Sequence, residues 1–166
     1  MALDPETERQ LASELFNLTW TYLDKPQRTL DENDAMLHAA HASRHHWAQV
    51  EAPVNLARGD WQISRVYAVL GRFEPAAYHA QRCLEICQQH QIADFDLAYA
   101  YEALARAYSV AQQWDIASKY LESATSAGHA ITEPEDKDWF FKDLGTIILP
   151  GSAGGYNLDP IPPEPE

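Results

Sequence analysis

Apolar residues recur along this chain at three- and four-residue spacing and nowhere alternate with a period of two, so the pattern predicts helices and no strands. Leu11, Leu15, Leu18 and Tyr22 form one such stripe, with Phe16 and Trp20 beside it. Asp4-Pro5-Glu6 supplies an N-cap, a proline for the first turn and acidic groups suited to the helix dipole. A first helix is therefore predicted from there to Leu23, ahead of Pro26. A second should start near Asp31, behind a capping box from Thr29 to Glu32, and reach about Val50. Pro53 precedes a third over roughly residues 54–70, closed by Gly71 as a left-handed C-cap. Pro75 opens a fourth in its first turn, which continues to about Gln89. The fifth covers roughly 95–111 and the sixth roughly 115–127, with Asp115 as N-cap and Gly128 as stop. Thr132-Glu133-Pro134-Glu135 reads as another capped start, so a short seventh helix carries Trp139, Phe140 and Leu144. Its apolar side would cover the open end of the helices before it.

Two segments between Arg58 and Ala124 repeat one another at an offset of 41 residues. Ile63, Ser64 and Tyr67 return as Leu104, Ala105 and Tyr108, and Phe73, Ala76, Ala80 and Cys83 return as Trp114, Ala117, Leu121 and Ala124. One period earlier, the small residues Ala35, Ala39 and Ala42 stand where the repeat asks for them. Leu15, Leu18, Thr19 and Tyr22 supply the matching first helix, displaced by four residues. Small residues where two antiparallel helices cross let the backbones approach, while Tyr and Leu fill the gaps beside them.

The run Tyr101-x-x-Leu104-Ala105-x-x-Tyr108, followed by Ala117-x-x-x-Leu121 and Ala124, resembles the tetratricopeptide repeat signature. The earlier copy departs from it at Asp60, where a large residue is usual, and the period exceeds the ~34 residues of the family. The resemblance implies an all-α fold of three antiparallel helix pairs, about 5–50, 54–90 and 95–128, stacked as a short right-handed solenoid. A capping helix over about 133–144 would complete a domain spanning 1–149, leaving residues 150–166 as a Gly/Pro-rich acidic tail. Such a tail cannot bury enough apolar area to fold alone and should be extended.

In that family the first helix of each pair lines a concave surface. The implied groove residues are Phe16 and Trp20 from the first helix, with Leu23 beyond them. Arg58, Trp61 and Arg65 come from the third, and Tyr99, Glu102 and Arg106 from the fifth. Arg forks bind carboxylates in bidentate fashion, and Trp and Tyr are enriched at binding hot spots. The implied ligand is a protein or peptide segment, acidic in character. The bland alternative has Arg58 or Arg65 pairing with Glu102, and Trp20 and Trp61 packing against the capping helix. The acidic tail, in cis or from a second copy, is a further candidate occupant. A structural subunit that dimerises through an exposed repeat face is another reading.

Composition narrows the partners. With 46% hydrophobic residues in 166, the chain can build one core. Its 12 basic against 25 acidic residues, −13 in net charge, repel phosphate backbones and anionic lipid surfaces, which points away from nucleic acid and membranes. The start lacks a secretory pattern, so the expected location is cytoplasmic. Cys83 and Cys87, four apart on one helix face, read as small buried hydrophobes in a reducing compartment.

Four of the seven histidines, His38, His41, His45 and His46, fall in the second helix. His38, His41 and His45 share a face with Asp34 and Gln49, opposite Met36, Ala40, Ser43 and Trp47. His41 and His45 at i and i+4 suit one divalent metal ion, with Asp34 or His38 near enough to add a ligand. The bland reading is a polar or interhelical stripe of hydrogen-bonding imidazoles. No HExxH, phosphate loop, GxSxG or Cys-His arrangement accompanies it. The residues therefore point to a non-catalytic interaction module without a cofactor, with a metal-binding protein or small metal-dependent enzyme as the alternative.

Overall fold

A computed structural model describes residues 2–150. Among these residues the chain forms seven helices and no strand: α1 (Pro5–Leu23), α2 (Leu30–Ala48), α3 (Pro53–Val69), α4 (Phe73–Gln89), α5 (Asp94–Val110), α6 (Trp114–His129) and α7 (Pro134–Leu144). Each helix packs on the next, and α3 also meets α5, as α5 meets α7. Among the described residues no helix is long and apolar enough to cross a membrane. The expectation for the tail falls, from residue 151 onward, outside the described residues.

Local chemistry explains most boundaries. Asp4 accepts from the backbone of Glu6 and Thr7 at the start of α1, and Thr29 and Glu32 close a reciprocal capping box on α2. A cap of this kind stabilises its helix by about 1 kcal/mol. At the end of α3, Gly71 has φ +70° and the Arg72 N–H reaches back to Tyr67 O at 2.9 Å. Gln112, one period later, repeats the geometry with φ +57° and a 3.0 Å bond from Gln113 N to Tyr108 O. Gln91 ends α4 the same way at φ +55°. The turn geometry repeats even where glycine does not.

Three starts and stops differ from expectation. Gln113, not Asp115, is the N-cap of α6, and Asp115 sits in the first turn. The Thr132 side chain does not cap α7. It bonds to Asp94 at 2.7 Å, tying the α6–α7 turn to the beginning of α5. Gly128 lies inside α6 and does not end it; a Cβ there would stand 2.3 Å from Cε1 of the fully buried Phe140. That glycine is needed for close approach of α7, a tertiary demand rather than a local one.

The core follows the repeat positions. Ile63, Ala76, Ala80 and Cys83 are buried, as are their counterparts Leu104, Ala117 and Ala124. Ser64, at the crossing of α3 and α4, donates to Ala76 O at 2.8 Å, and Ser43 donates to Ala12 O across α1 and α2. Small side chains thus let the backbones close up, and the two hydroxyls satisfy carbonyls at the crossings. Cys83 and Cys87 are free and buried in this core. The hydrogen bond between the two thiols, followed by burial, pushes the Cys83 thiol well above its usual range. Trp139, expected under the cap, is exposed beneath Lys142, while Phe140 and Leu144 are the residues α7 buries.

Candidate functional site

Three of the aromatic residues assigned to the groove, Trp20, Trp61 and Tyr99, join Phe140 of α7 in a ladder that crosses four helices. Trp20 of α1 meets Trp61 of α3 at 5.7 Å between centroids, and Trp61 meets Tyr99 of α5 edge-on at 5.2 Å. Tyr99 then meets Phe140 of α7 edge-on at 5.1 Å. Each such contact is worth roughly 0.5–1.5 kcal/mol beyond its area. The ladder places α1, α3, α5 and α7 side by side, and Gln62 Nε2 strengthens the α1–α3 seam by donating to Phe16 O at 3.0 Å.

Charged partners lie along the same face. Glu102 is completely buried and accepts from Arg106 Nε at 2.7 Å and from its Nη2 as well, while Arg65 Nη2 stands 3.4 Å away. Burial alone would raise the Glu102 carboxyl, but the Arg106 and Arg65 guanidiniums outweigh it and hold its pKa below the usual value. Asp143 of α7 completes the cluster. Its carboxylate accepts from Tyr99 Oη at 2.9 Å and lies 3.5 Å from Arg65, and its carbonyl accepts from Arg106 at 3.0 Å. Arg106 also donates to Thr146 Oγ1 at 2.9 Å. Burial, then the Asp143 charge, pushes the Tyr99 phenol upward.

Tyr99, Glu102 and Arg106 are therefore buried behind α7 and the residues that follow it. Arg65 is mostly covered as well, lying over the Trp61 ring at 5.7 Å. Among the described residues, Trp61 Nε1, Gln62 Oε1, Arg65 Nε and Glu102 Oε2 are buried without a hydrogen-bond partner. The Trp61 indole N–H favours the charged form of Glu102 without meeting hydrogen-bond geometry. All four atoms belong to α3 and α5.

The other end of the face is open. Arg58 clamps Asp96 with two bonds, 2.7 and 3.0 Å, yet half of its side chain is exposed. It borders a pocket of about 220 Å³ together with Ser13, Phe16, Asn17, Trp47 and Asn55. This pocket combines one guanidinium, two aromatic walls and two amides. Trp47 and Asn55 are additions that the groove assignment did not contain, because they come from the end of α2 and the beginning of α3. Only the folded turn between Ala48 and Pro53 brings them beside Phe16.

The histidine stripe is placed as its periodicity indicated. Asp34, His38, His41 and His45 face outward, and Met36, Ala40 and Ser43 face the core. Among the described residues no three His, Cys, Asp or Glu side chains are grouped to hold a metal ion. His41 instead reaches Tyr67 Oη at 3.1 Å, and His46 reaches Glu8 at 2.6 Å. Beside His41 lies a network that sequence reasoning missed, in which Asp60 joins Arg44 and His79. Its signal was present: Asp60 stands where the repeat asks for a large apolar residue, and a buried charge requires partners. Compared with protein-family models, characterised proteins and solved structures, the chain matches none.

Proposed function

We propose that this chain is a non-catalytic, tetratricopeptide-like binding module that receives a carboxylate-bearing peptide or protein segment at the α1–α3 end of its ladder face. The observation that carries the reading is the pocket between Phe16, Trp47 and Arg58. A half-exposed guanidinium beside two aromatic walls suits a segment that places a carboxylate next to a large apolar side chain. Asn17 and Asn55 supply amide donors and acceptors for the backbone of such a segment. The repeat reading is supported by buried small residues at both helix crossings, Ala76 and Ala80 in one and Ala117 and Ala124 in the next.

The test is a displayed peptide library panned on the folded chain. It should enrich segments with an acidic residue beside an aromatic or large aliphatic one. Their affinity should fall at least tenfold with Arg58→Glu or Phe16→Ala, while the circular dichroism of the variants stays native. No enrichment, or enriched peptides that bind Arg58→Glu as well as they bind the parent, would overturn the assignment.

A further inference from the structure

Asp60 is a buried carboxylate held from two sides. Arg44 Nε of α2 donates to Oδ2 at 3.0 Å, and His79 Nδ1 of α4 lies 2.8 Å from Oδ1. A carboxylate is an acceptor, so the proton of this bond sits on Nδ1, and it is Nε2 that is left to bind another partner. This is the second-shell arrangement that commonly orients a metal-ligating imidazole. Tyr67 stacks on the His79 ring at 6.1 Å and Tyr78 meets it edge-on at 5.1 Å, so the ring is walled in. Facing it, across the gap between α2 and α4, is His41, with ring centroids 5.4 Å apart and planes at 74°.

Two imidazoles that share one ion at ~2.0–2.1 Å per nitrogen, with a tetrahedral angle between them, hold their centroids about 5 Å apart. The 5.4 Å centroid spacing is close to that value, and turning the two rings about their side-chain bonds would aim their nitrogens at one ion. His41 Nε2 is within 3.1 Å of Tyr67 Oη, and an ion here would take over the interaction the hydroxyl now makes. Arg44 offsets the Asp60 charge, so attraction would come from nitrogen donors rather than from net charge. Such donors select a borderline transition ion over Mg²⁺ or Ca²⁺.

We propose that His41 and His79 form an interhelical site for a divalent transition-metal ion, with Asp60 orienting His79 and water filling the remaining positions. The site differs from an in-helix chelate of His41 with His45, because it needs α4. It is also independent of the pocket at Arg58.

Calorimetric titration of the full chain, carrying no affinity histidines, with Cu²⁺ and with Zn²⁺ tests it. One ion should bind per chain, Cu²⁺ more tightly, and Mg²⁺ should not compete. His79→Gln and His41→Gln should each weaken binding at least tenfold, whereas His38→Gln and His45→Gln should leave it unchanged. Asp60→Asn should weaken it about ten- to a hundredfold. Because that last variant disturbs a buried ion pair, its helical content is measured alongside, and the exposed His41 carries the decision should it unfold. No binding, equal binding by all the histidine variants, or loss in His45→Gln with retention in His79→Gln would each overturn the proposal.

Discussion

Arg58 and Arg106 both lie on the ladder face and both grip a carboxylate through two nitrogens, yet their surroundings make them different devices. Arg58 meets Asp96 at the open end, where water reaches half of its side chain. Arg106 meets Glu102 behind α7, where the carboxylate has no exposure. A pair in water contributes little, because solvent already stabilises both charges. A buried pair contributes little as a net sum, but removing one member leaves the other's charge under-compensated, and at Glu102 only the more distant Arg65 would remain. The same chemistry is therefore open to water at one end of the face and closed off at the other. The difference is made by α7, whose Asp143 contacts Arg65, Arg106 and Tyr99.

Replacing Arg106 by Ala is the hardest blow to this comparison. It should cost about 3–5 kcal/mol in urea unfolding, the magnitude for a broken buried pair. An unchanged midpoint would mean that the closed end is no more protected than the open one. Gly128→Ala comes next. The added methyl meets Phe140 and Phe141, so it should destabilise by about 1–3 kcal/mol despite the better helix propensity of alanine. A gain in stability would show that α7 does not pack tightly on α6. Arg58→Ala is the smallest, with a loss below about 1 kcal/mol in the same unfolding measurement. A larger loss would make Arg58 a structural residue and weaken its assignment to the pocket.

Much of the fold is legible in the sequence. Thr29, Glu32, Gly71 and the prolines act within a few residues of themselves, so the starts and stops they control fall close to where local rules put them. Gly128 and Thr132 misled for the opposite reason: each answers to a side chain on another helix, Phe140 and Asp94, and looks like ordinary helix punctuation when read alone. Trp20, Trp61 and Tyr99 were assigned to one face by the repeat register and the family resemblance, whereas Phe140 was expected only on the capping helix. Which of them stay accessible was not legible, because accessibility depends on where α7 lies. Trp47 and Asn55 were not assigned to the groove because neither belongs to the repeat stripe, and Trp47 was read only as part of the apolar side of α2. The role of His79 was not legible because it rests on Asp60 and His41, 19 residues away in one case and in another helix in both.

The sequence by itself determined that this is an all-helical chain, where most of its helices begin and end, and which small residues meet at the crossings. Those properties follow from period, caps and volume, which are short-range. Only the tertiary structure decided that Glu102 and Arg106 are closed off while Arg58 is open, and that Asp60 holds His79 toward His41. Burial and pairing depend on what covers a residue, and the covering segment comes from elsewhere in the chain.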